Sequence, residues 1–236
     1  MTRNITKTFG QHMLADRRVL GKILDAAGIG KGETVLEAGT GHGILTTELC
    51  RVAKSVVSYE VDKNLHQQVR AQLQFQNLEL VKADLFRTKN LRFDVFASNL
   101  PYSRSRDAIE WLAAQKFGRA IVMVQEEFAD KLVAKPGDKN YRAISALAAH
   151  CFAIEKLFSV GRESFEPRPK VESAVIRIIP VNTVTKDTVK SLNLLFSKRN
   201  KKASTVAAKA GIKTDYGSKR IGQLMPSDVV KIAESM

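Results

Sequence analysis

Short apolar runs alternate with amphipathic stretches through the first three quarters of the chain. The apolar runs predict strands buried on both faces, and apolar positions at three- and four-residue spacing predict helices. The predicted strands are Glu33–Ala38, Ser55–Asp62, Leu78–Asp84, Phe93–Ala97, Ala120–Val124, Ala153–Val160 and Ser173–Ile179. Because helical stretches separate most of these runs, the pattern predicts an α/β fold whose seven-stranded, mostly parallel sheet ends in a final pair of strands.

Capping residues mark the ends of the first predicted helix. Asp16 is expected to cap its start, and Gly28 follows its last apolar residue, Ala27. Further helices are predicted at Asp107–Lys116, Gln125–Val133 and Tyr141–His150.

The last quarter of the chain follows a helical pattern only. Apolar positions at helical spacing occur in Val189–Phe196 and Ser204–Ala210, and the basic run Lys198–Lys202 separates them. We therefore predict two domains, residues 1–180 around the sheet and residues 181–236 as a small basic helical domain. The basic run alone is equally consistent with a solvated surface.

Charge and cysteine content indicate the kind of partner and the cellular compartment. The 236-residue chain carries a net charge of +14, and residues 181–236 hold eleven Lys and Arg against four Asp and Glu, so a polyanionic partner is expected. Cys50 and Cys151 lie in apolar patterns and are expected to be buried, reduced thiols, which suits a cytoplasmic protein. The sequence shows neither a signal core nor an apolar run long enough to span a membrane.

A glycine-rich turn follows the first predicted strand. It has the sequence Glu37-Ala38-Gly39-Thr40-Gly41, with a helix after it. Glycines permit a tight turn and let a ligand approach the backbone. The spacing differs from the dinucleotide motif, and the Glu37 carboxylate would repel a pyrophosphate but attract an ammonium group. The turn therefore favours an S-adenosylmethionine site.

Acidic residues end the next two predicted strands. Glu60 lies 21 residues beyond Gly39, the position of a carboxylate that accepts hydrogen bonds from ribose hydroxyls. Asp62 is expected to cap the following helix. Asp84 could either accept a hydrogen bond from the cofactor's adenine amine or cap a turn, and the sequence leaves both open.

The fourth strand runs into Asn99-Leu100-Pro101-Tyr102. Proline ends the pairing, and in a parallel sheet this end of a strand faces the ligand crevice. The Asn99 side-chain oxygen and the Leu100 carbonyl are two neighbouring acceptors for an exocyclic amine, and Tyr102 offers a flat ring for stacking. An adenine amine suits this arrangement. By itself the motif is also compatible with a simple strand-ending turn.

Other chemistries lack their motifs. The four histidines, His12, His42, His66 and His150, have no metal-ligand spacing, and two cysteines cannot form a four-cysteine zinc site. The sequence contains neither a nucleophile elbow nor a Walker lysine. No metal is therefore expected, and methyl transfer from a sulfonium to an amine needs none.

Taken together, the motifs resemble the rRNA adenine N6,N6-dimethyltransferases, whose cousins are the erythromycin-resistance methylases. The resemblance runs from about Phe9 to Ile179 and continues weakly through Leu195–Ala203. It is carried by Phe9–Leu14, Glu37–Gly41, Glu60–Asp62, Ala83–Asp84, Ser98–Tyr102 and Phe165–Ser173. The fold that it implies is a Rossmann-like class I methyltransferase.

The resemblance also implies roles for individual residues. The cofactor, S-adenosyl-L-methionine, would be held by His12, Leu14, Glu37, Gly39, Gly41, Glu60, Asp84 and Asn99. Catalysis would fall to Asn99, Leu100, Tyr102 and Phe165, with the two aromatic rings on either side of the extruded base. The implied substrate is a pair of adjacent adenosines near the 3′ end of small-subunit rRNA, modified by a monomer during ribosome biogenesis. The small basic domain would bind this RNA.

Two positions depart from the family pattern. His12 stands where many members have Asn, and both can donate a hydrogen bond. Arg104 replaces an aliphatic residue and could contact RNA phosphate or lie in solvent. Two other functions remain open: a non-catalytic ribosome-assembly or transcription factor of the same fold, and a DNA adenine methyltransferase, since Asn-x-Pro-Tyr also serves there.

Overall fold

A mixed α/β architecture is seen in the computed structural model, which describes residues 12–89, 91–214 and 216–236. The strands are β1 Met13–Leu14, β2 Thr34–Ala38, β3 Ser55–Tyr59, β4 Leu78–Val81, β5 Val95–Asn99, β6 Arg119–Gln125, β7 Phe152–Val160, β8 Phe165–Glu166 and β9 Ser173–Pro180. The helices are α1 Arg17–Ala27, α2 Ile44–Val52, α3 Lys63–Gln72, α4 Ser105–Leu112, α5 Glu126–Leu132, α6 Ala143–Cys151, α7 Lys186–Ser197, α8 Ala203–Lys209 and α9 Pro226–Glu234.

Seven of the described strands form one sheet in the order β4-β3-β2-β5-β6-β9-β7. The pairs from β4 to β6 are parallel, whereas β9 runs antiparallel to β6. The predicted fold class is confirmed. Strand order reverses direction at β2, which lies between β3 and β5, and such a switch point opens a crevice at the carboxyl ends of the strands.

The sheet is apolar on both faces because helices cover it. Val95, Phe96 and Ala97 of β5 are fully buried, as is the centre of β6. Helix α1 packs Leu20 and Ile23 into the same core as β5. Its ends are those predicted: the Asp16 side chain accepts a hydrogen bond from Arg18 N, and Gly28 adopts a left-handed conformation at the C-cap.

The chain divides into two compact units. The first contains the described residues up to Ser105 together with Lys116–Glu126 and Glu155–Ile179. The second contains Arg106–Gln115, Glu127–Ile154 and Pro180–Met236. The predicted division at residue 180 stays a prediction.

Both cysteines, Cys50 and Cys151, are buried as free thiols, as predicted. In the described part of the chain no helix is long and apolar enough to cross a membrane.

The second unit is helical and has its own core. The Tyr141 ring is fully buried and packs edge-on against the Phe196 ring, with 5.6 Å between the two ring centroids. The Tyr141 hydroxyl donates to Leu224 O. Helix α9 was missed by the sequence analysis. It begins at Pro226, which suits a first helical position because its missing N–H would have no partner there.

An ion pair links the N-terminal ends of β2 and β6 in the first unit: Glu33 directly precedes β2, and Arg119 is the first residue of β6. The Arg119 guanidinium donates to both Glu33 carboxylate oxygens at 2.8 and 2.7 Å, and to the carbonyls of Ala27 and Gly28 at the end of α1. The hydrogen bonds from Arg119 are the main reason that the pKa of Glu33 falls to about 2. A lowered folded-state pKa means that the pair stabilises the fold above pH 4.5 and loses this effect as the pH falls toward 2.

We predict that Glu33→Gln makes the free energy of unfolding less dependent on pH between 4.5 and about 2. The wild type should lose roughly 2 to 3 kcal/mol of unfolding free energy through this group between those pH values, and the variant should not. Urea denaturation at a series of pH values measures the difference. Glu48→Gln, which removes an exposed ion pair within α2, is the control and should leave this pH dependence unchanged. Parallel curves for wild type and Glu33→Gln would contradict the prediction.

Candidate active site

The glycine turn after β2 lies at the switch point of the sheet. Gly39 N and Thr40 N both donate to Tyr59 O at the end of β3, at 2.8 and 3.2 Å. Gly39 and Gly41 have positive φ values of 80° and 56°, which only glycine adopts without strain. These two hydrogen bonds fix the start of the turn to the carboxyl end of β3, beside the crevice.

Glu37 is buried beneath this turn. Its Oε2 atom accepts hydrogen bonds from the hydroxyls of Thr46 and Ser58, both at 2.6 Å. Burial raises the pKa of Glu37 to about 7; the two hydroxyls oppose the shift, and the nearby Glu60 carboxylate adds to it. A positively charged ligand in the adjacent cavity would therefore favour the ionised form of the Glu37 carboxyl.

Glu60 is equally buried but is satisfied by the backbone. Its Oε2 accepts from Gly41 N and its Oε1 from Asp62 N, both at 2.9 Å. Each carboxylate oxygen can accept a second hydrogen bond. Asp62 caps α3, as predicted, by accepting from the amides of Asn64 and Leu65.

Two cavities in the first unit share Gly39 and Pro101 and together include all eight predicted cofactor residues. One is lined by His12, Leu14, Glu37, Gly39, Gly41 and Asn99. The other, of about 400 Å³, is lined by Gly39, Glu60, Asp84 and Leu100 among others. This volume suits a small-molecule site. We call these two adjoining cavities, at the carboxyl ends of β2, β3, β4 and β5, the groove.

The predicted acceptor motif ends β5 beside this groove. Asn99 is the last residue of the strand, and a short 3₁₀ turn, Tyr102–Arg104, follows Pro101. The Tyr102 hydroxyl is hydrogen-bonded to Ser173 Oγ at 2.7 Å, and its ring lies 5.6 Å from the His12 ring. Burial raises the pKa of Tyr102, so the phenol stays protonated.

Phe165 differs from the other predicted site residues. It lies in β8, where it pairs with Leu14 of β1, and only 3% of its surface is exposed. Its side chain belongs to the apolar core, and the structure does not present it as an open face. Its contact with a target base stays a prediction. Phe9, Gly10 and Gln11, which begin the family motif, lie outside the described residues.

Arg104 has a partner that the sequence did not indicate. Its Nη2 contacts both Asp84 carboxylate oxygens, at 2.9 and 3.0 Å, while 38% of its side chain stays exposed. Asp84 also caps the 3₁₀ turn that follows it, by accepting from Phe86 N. The two residues are 20 positions apart and β4 and β5 are not neighbours, so no local pattern indicated the pair.

No group of three or more His, Cys, Asp or Glu side chains that could hold a metal ion occurs among the described residues.

Comparisons with known proteins agree with the geometry. The ribosomal RNA adenine dimethylase family model matches residues 2–232. A Pyrococcus abyssi protein named "Probable ribosomal RNA small subunit methyltransferase A" is 32% identical over 240 residues, covering 95% of this chain and 89% of that protein. A Thermotoga petrophila protein named "Ribosomal RNA small subunit methyltransferase A" is 35% identical, covering 87% of this chain and 76% of its own.

Solved structures give the same result. A dimethyladenosine transferase from Plasmodium falciparum superposes with a TM-score of 0.76 at 27% identity, over 94% of this chain and 96% of that one. Its fold and the matching sequence lead to one assignment. The chain belongs to the ribosomal RNA adenine dimethylase family, whose members are methyltransferase enzymes.

Proposed function

We propose that this protein transfers methyl groups from S-adenosyl-L-methionine to the exocyclic amines of adjacent adenosines near the 3′ end of small-subunit rRNA. The observation that carries the proposal is the position of Asn99-Leu100-Pro101-Tyr102 at the edge of a groove lined by all the predicted cofactor residues. Dimethylation at this site would belong to ribosome assembly, and we propose a monomer in the cytoplasm.

The residues of the groove suit the parts of this cofactor. Glu37 would face the ammonium group, Glu60 the ribose hydroxyls and Asp84 the adenine amine, while His12 and Leu14 would cover the methionine end. The backbone of Gly39 and Gly41 offers close approach. When bound, the cofactor supplies an electrophilic methyl group on a positively charged sulfur.

The chain's own contribution to catalysis is positioning and hydrogen bonding. The Asn99 side-chain oxygen and the Leu100 carbonyl accept the two N–H groups of the target amine, which directs the nitrogen lone pair at the methyl carbon. Tyr102 stacks against the base, with its hydroxyl held by Ser173. Because the phenol stays protonated, it is not the base; the proton released from the amine leaves to water.

Radiolabel transfer to immature small subunits tests the proposal directly. Labelled methyl groups should appear on adjacent adenosines of the 3′-terminal hairpin. Tight binding to the particle without transfer would favour a non-catalytic assembly or transcription factor. Better transfer to duplex DNA would favour a DNA adenine methyltransferase.

The second unit supports RNA binding through a basic surface, which we call the basic bridge: Lys201, Lys202, Lys219 and Arg220. Lys202 and Arg220 form an isolated antiparallel bridge, and Ala203 N donates to Lys219 O at 2.9 Å. All four side chains of the basic bridge are exposed. The fold thus brings two basic segments that are separated in sequence onto one exposed surface, where their side chains could contact phosphate oxygens.

We predict that Asn99→Ala loses methyl transfer while the protein stays folded. The loss of one acceptor from the target amine should lower kcat by about 10²- to 10³-fold. Initial rates of radiolabel transfer and the melting temperature measure the two effects. Asn64→Ala, an exposed change at the start of α3, is the matched control. Wild-type rates in Asn99→Ala would refute the proposed acceptor role.

We predict that cofactor affinity rises with pH up to about 7 and then levels, since an ionised Glu37 attracts the ammonium group and its pKa is about 7. Below that pH, the affinity should fall by up to about tenfold per unit, because the proton on Glu37 must first be removed. Calorimetric titration with S-adenosylhomocysteine, which carries the same ammonium group, measures this. Glu37→Gln should bind weakly with a flat profile, and Glu79→Gln on β4 should behave as wild type. A flat wild-type profile would be inconsistent with the assignment of Glu37.

We predict that Lys201→Ala with Lys219→Ala weakens binding to the rRNA hairpin and lowers its salt dependence. Each lost phosphate contact should reduce the slope of log K against log salt by about 0.9. The control, Lys186→Ala with Lys231→Ala, removes the same charge from exposed positions outside the basic bridge. Equal effects of the two pairs would show that only net charge matters.

A further inference from the structure

The purine end of the proposed cofactor groove contains an ion pair whose basic member, Arg104, has no role in the mechanism above. Arg104 contacts both oxygens of Asp84, and its guanidinium carbon lies 5.1 Å from the centre of the Phe86 ring. Asp84, Phe86 and Arg104 all line the cavity of about 400 Å³ that also contains Glu60.

These contacts restrict the Asp84 carboxylate. Phe86 N holds Oδ1 at 3.0 Å, so the carboxylate is anchored to the turn that it caps. A single Arg104 nitrogen, Nη2, then reaches both Oδ1 and Oδ2, which opposes rotation about the bond to the carboxylate. Arg87 Nε, on the same turn as Phe86, is a weaker partner at 3.6 Å from Oδ2. A cation–π contact with the Phe86 ring holds the Arg104 guanidinium itself in place. Two separate segments of the first unit therefore set the direction in which this carboxylate accepts.

Direction matters because an exocyclic amine is a directional donor. A hydrogen bond weakens steeply when its angle departs from linearity, so a carboxylate that turns freely accepts less well on average. The Asp84–Arg104 pair is itself of modest strength, since 38% of the Arg104 side chain and 21% of the Asp84 side chain are exposed. The main effect of the pair is to fix the orientation of the Asp84 carboxylate.

We propose that Arg104 is a positioning residue for the purine of the cofactor: it holds the Asp84 carboxylate in the orientation that accepts the exocyclic amine. This inference rests on the proposed function, because it takes Asp84 as the acceptor for that amine. Arg104 acts through Asp84 and does not itself read the purine.

The test compares two ligands on the same variants by calorimetry, with no RNA present. One ligand is S-adenosylhomocysteine, and the other is its analogue with hydrogen in place of the purine amine. Arg104→Leu should weaken binding of the first by about 3- to 10-fold, the worth of one hydrogen bond, and leave the second within about twofold of wild type. Asp84→Ala should show the same selectivity, and adding Arg104→Leu to it should have no further effect.

Arg104→Lys provides the folding control. It keeps the charge but replaces the guanidinium, which is held on the Phe86 ring, by a more flexible ammonium group, so its loss should be smaller and should again require the purine amine. If Arg104→Leu does not fold, this variant carries the test alone.

Other outcomes overturn the inference. Equal weakening of both ligands would mean that Arg104 only supports the cavity wall. Tighter binding of S-adenosylhomocysteine to Arg104→Leu would mean that the guanidinium competes with the purine for Asp84. If wild-type protein bound neither ligand, the proposed function would fail with it, whereas normal wild-type binding with an insensitive Arg104 would refute the inference alone.

Discussion

Three acidic side chains, Glu37, Glu60 and Asp84, converge at the carboxyl edge of the parallel sheet, and the cost of burying the charges of Glu37 and Glu60 shapes the site. Each carboxylate has different partners. Among the described residues, Glu37 has two hydroxyl donors and a raised pKa, and Glu60 has two backbone amides. Asp84 has a backbone amide and the guanidinium groups of Arg104 and Arg87. The least compensated carboxyl lies nearest the place proposed for the cofactor's ammonium group, where a ligand charge provides what the fold lacks.

The sheet topology makes this convergence unavoidable. In parallel pairing, β2, β3 and β4 all end on the same side, so residues that follow three consecutive strands meet although they are far apart in sequence. β5 ends on that side too, which brings Asn99 to the same groove. Such a sheet suits catalysis by positioning, because the acceptors follow directly from a buried strand and little conformational freedom is lost in the transition state.

Several features were predictable from local sequence because local physics decides them. The Asp16 and Asp62 caps, the left-handed Gly28 and the glycine turn follow from short-range hydrogen bonding and backbone sterics. Six of the eight residues expected to hold the cofactor came from motifs near strand ends, and His12 and Leu14 came from the family resemblance; all eight line the two cavities.

Features set by contacts between distant segments were not predictable in the same way. The Asp84–Arg104 pair joins segments whose strands are not neighbours, and the pairing of Leu14 with Phe165 buries a ring that the motif alone would leave exposed. Helix α9 was missed because its apolar run is short, and its stability depends on packing in the second unit more than on its own pattern.

We propose that this edge of the sheet holds one extended ligand, with the methyl-bearing sulfur beside Asn99. A crystal structure of the protein with S-adenosylhomocysteine bound is the sharpest test. The purine amine should lie at Asp84, the ribose at Glu60, the ammonium group near Glu37 and the sulfur next to the Asn99 side chain. A ligand bound elsewhere, or with its sulfur turned away from Asn99, would contradict it.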